Sequence, residues 1–484
     1  MGPFTSPGTI LAMLLMLLNG GVRDLAGLVS SDTYWKSKDV TVSIEQLTGE
    51  LQAVKPVDVS KLIGDLDADD PKARDDAAAK IAAYGAGALP ALAEAAKNGS
   101  PEVVARANAI SAKIRGGAKP AAVRRLMAIR TLGEMKNASA LPLLRTLVDS
   151  KEMFEADYAK AAIARIEGNA YNSPVATDAN RAADVALLPS RLDIVAQIAP
   201  QFNGLLPIDK LIDQAPVPED QKAKSREEAH GDILKLLETV GNVRLDAITW
   251  GFYAAPPGVP GNTVVIARGT FDETTVAEAL AQAIPRIKKV NDVEVFQMDD
   301  DSVLLLPNDG RIIFLAREPT GDLGLEAMTA ALRKGAGDFS ANPDLSGLIK
   351  SVDTKSPLWA VTKMASGLRE LAGPFGQFDT VTITASQAVE NDKIISNLQL
   401  QAEGPDAAKT KDLVDTLTAE IKSTVLEGRK EEKTTPYLKP MVDFVDSLKL
   451  TADGKKATMT GSLHDMPMVP AMMMMERQVD VRQQ

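Results

Sequence analysis

The sequence contains no cysteine. That removes disulfides, thiolate zinc sites, iron–sulfur clusters and cysteine nucleophiles together. Histidine is nearly absent, His230 and His464 being the two present, which leaves little for His-rich metal sites or imidazole acid–base chemistry. Aromatic residues make up 4% of the chain, too few for a platform that stacks bases or sugar rings. The 54 Lys and Arg against 65 Asp and Glu give a net charge of −11, the wrong sign for gripping nucleic-acid phosphates. No apolar run reaches the about 20 residues a membrane-crossing helix needs. There is no P-loop, and Gly335-Ala336-Gly337 lies between helical segments without the strand context of a phosphate cradle. These shortages argue for binding rather than catalysis, with no cofactor expected.

What is present is ordinary globular material: 484 residues, 45% apolar and 25% charged. At roughly 150 residues per domain the length suits about three domains. The apolar run Thr9–Leu18 has the length of a secretory h-region, so residues 1–27 read as a signal peptide or as an N-terminal apolar helix docked on the body. The first reading implies a periplasmic or secreted protein, the second a cytoplasmic one. Residues 28–60 form a lead segment.

From 61 to 168 the composition shifts: 28 of these 108 residues are alanine, which favours helix. The segment repeats. Ala88-Leu89-Pro90-Ala91-Leu92 returns as Ala140-Leu141-Pro142-Leu143-Leu144, and Ala112-Lys113-Ile114 as Ala164-Arg165-Ile166, both at an offset of 52. Asp70-Pro71 and Ser100-Pro101 start helices, and Gly85 and Gly116-Gly117 end them. Short paired helices, an Ala-Leu-Pro opening and Asp/Ser-Pro starts resemble HEAT-type repeats, the Ala-rich variety seen in bilin-lyase-like proteins. The resemblance implies a curved helical stack used as a protein-binding or spacer surface; no motif here would hold a tetrapyrrole. This stretch carries a charge of +3 (17 Lys and Arg, 14 Asp and Glu), leaving −14 for the rest. Arg106, Arg124, Arg125, Arg130 and Arg145 are therefore the candidate protein-binding residues, facing an acidic partner, the acidic remainder of this chain, or solvent.

Residues 169–185 read as a linker. Beyond it the pattern is strand, helix, hairpin, helix and further strands, twice: 186–335 and 336–462. The passages Asp246–Ile287 and Asp379–Leu426 correspond best. Val381, Ile383 and Ala385 alternate with Thr380, Thr382 and Thr384, and Leu398 and Leu400 with Asn397, Gln399 and Gln401. One face is then buried under helices, and the Thr/Gln/Lys face meets water or a partner. The expected fold is multidomain: an all-α HEAT-like array followed by tandem α+β, ferredoxin-like (βαββαβ) units with antiparallel sheets. The opening Leu188-Pro189-x-x-x-Asp193 resembles that of exported bacterial proteins with a duplicated α+β region, a likeness that supplies no catalytic residue.

Four constellations suggest chemistry. Asp65 to Asp76 spaces acids as a calcium loop does, but Asp70 stands where the turn needs glycine, and acids at a helix start account for it. Glu227-x-x-His230 lacks the second copy a bundle metal site requires. His464-Asp465 has no nucleophile setting. Met466, Met468 and Met472–Met475 place six of 17 methionines in ten residues of a tail at 463–484, which suits copper(I) or apolar docking. The leading expectation is a non-enzymatic protein-binding or scaffold protein of the cell envelope. The alternatives are a ligand-binding protein or enzyme with a site between the two α+β units, using Asp246, Arg268, Asp379 and Lys393, and a structural component that self-associates.

Overall fold

The computed structural model describes residues 24–51, 57–169, 171, 176–198, 212, 219–254, 262–284, 286–299, 302–316, 324–390, 393–431 and 439–464. The apolar run 9–18 and the methionine-rich stretch lie outside them. The chain divides into a helical unit, residues 29–173 with 230–242, and a sheet unit containing the remainder.

The helical unit begins with α1 (Ser31–Lys36), α2 (Ile44–Glu50) and α3 (Ser60–Asp65), so the lead segment belongs to the helical body. The helices α4 (Pro71–Ala83), α5 (Leu89–Asn98), α6 (Pro101–Glu134), α7 (Leu141–Thr146) and α8 (Glu155–Glu167) follow. Asp70 caps α4 by accepting from Lys72 N (3.0 Å), and Ser100 caps α6 by accepting from Val103 N (3.3 Å). The expected stop at Gly116-Gly117 is overturned: α6 runs on through Pro120 to Glu134. An interior proline costs about 3 kcal/mol. Burial on both sides outweighs it, because Ile110 and Ile114 pack in one apolar cluster while Val123, Leu126, Met127, Ile129 and Leu132 are buried further along.

The offset of 52 is repeated in the elements. α4, a 3-10 turn, α5 and the first half of α6 match, in order, the second half of α6, a second 3-10 turn, α7 and α8. One long helix therefore ends the first copy and begins the second. Close approach depends on small residues: a Cβ on Gly133 would lie 2.7 Å from Ala162 Cα, so only glycine lets α6 and α8 meet there.

The sheet unit contains, after α9 (Asp178–Ala186), the strand β1 (Ile194–Ile198), then α10 (Glu219–Val240), whose last turns belong to the helical unit. Next come β2 (Arg244–Tyr253), β3 (Asn262–Thr270), α11 (Glu273–Ala283) and the meander β4 (Arg286–Val290), β5 (Val293–Asp299), β6 (Ser302–Leu306), β7 (Arg311–Ala316). α12 (Leu325–Lys334) and α13 (Pro343–Ile349) lead to β8 (Leu358–Lys363), α14 (Ser366–Leu371), β9 (Thr380–Glu390) and β10 (Lys393–Glu403). α15 (Ala407–Glu431), α16 (Lys439–Ser447), β11 (Lys449–Asp453) and β12 (Lys456–His464) complete it.

These strands form one antiparallel sheet, ordered β11-β12-β10-β9-β8-β1-β2-β3-β7-β6-β5-β4. The two expected α+β units thus share a continuous sheet, joined through β1 and β8 (Val195 opposite Val361). The strand path is alike in the two halves. Outward from β1 run β2, β3, then β7 and β6; outward from β8 run β9, β10, then β12 and β11. The first half adds β4 and β5 at its outer edge; the sequence pattern predicts a helix over Thr274–Ile287 and a strand over Val293–Met298, and β4 starts inside that helix range, at Arg286. The strand order differs from a ferredoxin-like unit, which interleaves its strands; here each hairpin is laid beside its predecessor and the pairings are antiparallel. The expected boundary at 335/336 also moves, because Phe339, Leu345, Trp359 and Val361 pack into the core of the first half.

Residues 169–185 contain α9 instead of a plain linker. Thr177 caps this helix by accepting from Asn180 N (3.2 Å). The Leu188-Pro189-x-x-x-Asp193 segment is a fastening point. Ser190 donates through N and Oγ to the Asp338 carboxylate (2.8 and 2.9 Å), Asn342 Nδ2 donates to Ser190 O and Leu192 O, and Asp193 Oδ2 accepts from Ala254 N (2.9 Å).

Candidate functional site

The alternation along the strands decides which part of the sheet is open. Register places Val195, Val361, Thr382 and Gln401 in one cross-strand row, hence on one face. Over the first half this face is covered: Val195, Val264, Ile266 and Leu315 pack against Met328 of α12 and Leu345 of α13. Beyond β8 the same face turns polar. On the opposite face, Val381, Leu400, Ala402 and Met459 are buried against Leu413, Val414 and Leu417 of α15. The second half therefore presents a face of hydroxyls and amides, as the Thr/Gln alternation predicts.

That face holds a groove of about 450 Å³, walled by the turn at Asp353 and Ser356 and by Ser447 and Lys449. Its floor is two cross-strand rows. Thr384, Gln399, Thr460 and Lys449 are successive partners in one; Ser386, Asn397 and Ser462 are partners in the next. The second row is partly tied down: Ser462 Oγ donates to Asn397 Oδ1 (2.7 Å), and Ser447 Oγ accepts from Ser462 N (2.9 Å). Asp353 is oriented by Lys355 N, which donates to its Oδ1 (3.0 Å). Hydroxyls and amides each donate and accept, so the groove can bind and orient polar groups. Among the described residues its lining holds no imidazole or thiol and no paired carboxylates, the usual carriers of acid–base and nucleophilic chemistry.

The five candidate arginines are engaged inside the helical unit. Arg106 pairs with Glu102 (2.6 Å) and Asp75 (3.3 Å), Arg145 with Glu167 (3.0 Å), and Arg130 with Glu134 (2.8 Å) and the carbonyl of Val29 (3.0 Å). Arg124 pairs with Glu50 (2.6 Å) and lies over the Trp35 ring, while Arg125 pairs with Glu155 and donates to Glu50 O. Three of them thus fasten the lead segment onto α6. Sequence spacing shows that α6 carries arginines; it does not show which carboxylates fold back onto them.

The alternative set Asp246, Arg268, Asp379 and Lys393 is not brought together. Asp246 pairs with Arg244 (3.0 Å), and Asp379 accepts from Arg369 (3.1 Å) at the start of β9. Lys393 stands at the far end of the same hairpin, opposite Glu390. Arg268 belongs to a buried ion cluster that the sequence reading missed. Its Nε and Nη2 donate to both oxygens of Asp184, which is 0% exposed, and Arg311 Nη1 lies 3.6 Å from the same carboxylate. Burial pushes the Asp184 carboxyl above its ordinary value while the guanidiniums pull it down. For Arg268 burial opposes the charge, and pairing with Asp184 outweighs it and raises the guanidinium. Nearby, Gln197 Nε2 donates to Arg181 O (3.0 Å) and Thr249 Oγ1 (2.8 Å). These contacts clamp α9 to the sheet. Isolated polar letters in apolar strands, Gln197 and Arg268, were the available signal.

The acidic loop at 65–76 uses its groups internally. Asp70 caps α4, Asp67 accepts from Ser100 Oγ (2.7 Å), and Arg74 Nη1 donates to the carbonyls of Ala68 and Asp69. Glu227 and His230 lie on α10, and His464 ends β12. Gly335 closes α12 with φ 73°, the left-handed geometry glycine allows, so Gly335-Ala336-Gly337 is a helix stop. Among the described residues no cluster of three or more metal-ligating side chains occurs, and no helix is long and apolar enough to cross a membrane.

Fold and site define a mixed helical and antiparallel-sheet protein of two units with an open polar groove. No family model and no curated protein matches the sequence. Among solved structures, crystal forms III and I of TP0453 are similar to it, at 10% and 9% identity. Each covers 60% of this chain and 96% of its own, with TM-scores of 0.36 and 0.32. At scores this low the likeness transfers neither fold nor role.

Proposed function

We propose that this is a non-enzymatic binding or scaffold protein of the cell envelope. Its HEAT-like helical array engages a protein partner, and its duplicated α+β module supplies a second surface. The observation that carries this reading is the uncovered hydroxyl and amide face of β9, β10 and β12, in a sheet whose other half is packed on that same face. An apolar face left bare would mark a missing layer; a polar one is complete as it stands and free to recognise. The offset-52 pairing of helices supports the HEAT-like assignment, and the run Thr9–Leu18 supports export. The alternative of a ligand site between the α+β halves has less support, since Asp246, Arg268, Asp379 and Lys393 do not converge and the groove is lined by residues of the second half.

The test is partner capture from native extract by the full chain, compared with a variant carrying Thr384→Arg and Gln399→Arg on the open face. A second variant, Glu94→Arg with Lys97→Glu on the exposed side of α5, probes the helical array. Loss of capture in either variant supports a binding role for the altered surface. Capture unchanged in both overturns the reading.

A further inference from the structure

We infer that the groove on the open sheet face is a site for a short, neutral, hydroxyl-rich saccharide segment. The inference rests on the binding role proposed above and names the ligand class for one of its surfaces.

The first observation is the chemistry of the floor. Thr384, Gln399 and Thr460 carry side chains that both donate and accept, and among the described residues they make no side-chain hydrogen bond of their own. Sugar hydroxyls are the matching groups, because each of them also donates and accepts. A carboxylate or phosphate ligand would satisfy only the donors, a lipid would meet only Ala385 and Leu398 among the described lining residues, and a nucleobase would meet no aromatic ring there. None of the described lining residues is aromatic, so recognition rests on hydrogen bonds and affinity is modest.

The second observation is charge. Lys449 stands on the β11 side and Asp353 before β8, on the other side of the intervening strands. Opposite charges at the two walls cancel, which disfavours polyanions and polycations alike. The third is dimension. Thr384, Gln399, Thr460 and Lys449 lie on adjacent strands, so the row spans three inter-strand steps, about 14 Å, with one recognition group per step. A hexose unit has about the length of one such step, and a volume of about 450 Å³ is in the usual range for small-ligand sites.

The experiment titrates the full chain with cellotriose, maltotriose and chitotriose, and with trigalacturonic acid as an acidic control, by isothermal calorimetry and saturation-transfer NMR. The expected result is millimolar binding of at least one neutral trisaccharide in preference to the acidic one. Gln399→Ala and the pair Thr384→Val/Thr460→Val should each weaken it about three- to tenfold, as loss of one or two hydrogen bonds implies. These are surface positions on regular strands, and circular dichroism verifies the fold of each variant. The inference is overturned if no neutral trisaccharide binds, if the acid binds best, or if the variants bind as the parent does. If no sugar binds yet Thr384→Arg/Gln399→Arg abolishes partner capture, the saccharide assignment falls and the binding role stands.

Discussion

Trp35 Nε1 donates to Thr131 Oγ1 across 2.9 Å, joining the lead segment to α6 over 96 residues of chain. Both side chains are buried, and Thr131 Oγ1 in turn donates to Met127 O (2.6 Å). The indole also packs edge-on to Tyr34, with ring centroids 5.2 Å apart. A lead segment fastened this way is part of the helical core. Trp35→Phe should cost about 1–2 kcal/mol through the lost hydrogen bond and smaller ring, and Trp35→Ala about 3–5 kcal/mol. Urea unfolding followed by circular dichroism checks both; a loss below 1 kcal/mol for Trp35→Ala would show that 28–60 is merely draped on the array.

Gly133 faces Ala162 where α6 and α8 cross. A methyl at 133 meets Ala162 Cα at 2.7 Å and Cβ at 2.8 Å, and backbone yields less readily than side chain. Gly133→Ala, which would gain helix propensity on an exposed helix, should destabilise by about 1–3 kcal/mol here. A thermal melt showing stabilisation instead would mean the two helices can separate freely.

Asp184 is the hub of the cluster that holds α9 on the sheet. Asp184→Asn leaves the Arg268 guanidinium without its buried counter-charge, while Arg311 keeps Asp309, and should cost about 3–5 kcal/mol. The double variant Asp184→Leu/Arg268→Met removes both charges and should cost less than the single one. Guanidinium denaturation of the three proteins measures this; equal losses in single and double variants would refute an electrostatic role.

Tyr34 sets a pH limit on the helical unit. Burial raises its phenol from 10.0 to about 12, with Arg124 pulling it down and Glu238 and Glu50 pushing it up. An acid whose value is raised by folding ionises first in the unfolded chain, so stability is unaffected below pH 10 and falls between pH 10 and about 12. Absorbance titration should find one of the six tyrosines ionising late, and Tyr34→Phe should remove its part of the alkaline loss. Identical pH profiles for parent and Tyr34→Phe would exclude this linkage.

Glu273 acts with the same sign, but in the carboxylate range. Burial raises its carboxyl above the usual range, against the hydrogen bond its Oε1 accepts from Gly310 N. The folded state therefore holds the proton more tightly, and this residue adds stability in acid that is lost as pH rises through its folded value. Glu273→Gln keeps the acceptor and should flatten the stability profile from about pH 4.5 upward. An unchanged slope would assign that pH dependence to other carboxylates.

The alternation of Val381 and Ile383 with Thr382 and Thr384 identified both strand and open face, because period-two patterning is a local consequence of the pleat. The same holds for Ser100 and Asp70 as helix caps, whose hydrogen bonds reach only two or three residues along the chain. The repeat at offset 52 was legible because both copies retain Ala-Leu-Pro at one helix start and Ala-Lys/Arg-Ile in the following helix.

What the residues could not declare was set by partners distant in sequence. Helix α6 runs past Gly116-Gly117 because apolar side chains are buried on both sides of the glycine pair, and local propensity alone would break it. Arg124, Arg125 and Arg130 read as a basic face until Glu50, Glu155 and Val29 O are folded onto them. Whether two α+β halves would clasp a ligand or merge was decided by β1 meeting β8, a pairing between strands about 165 residues apart that forms through backbone hydrogen bonds and leaves little compositional trace. Sequence thus determined many of the elements and the two faces of the β9–β10 hairpin. Tertiary structure decided which faces are covered, because covering a face requires another element to arrive, and only the assembled chain specifies which one does.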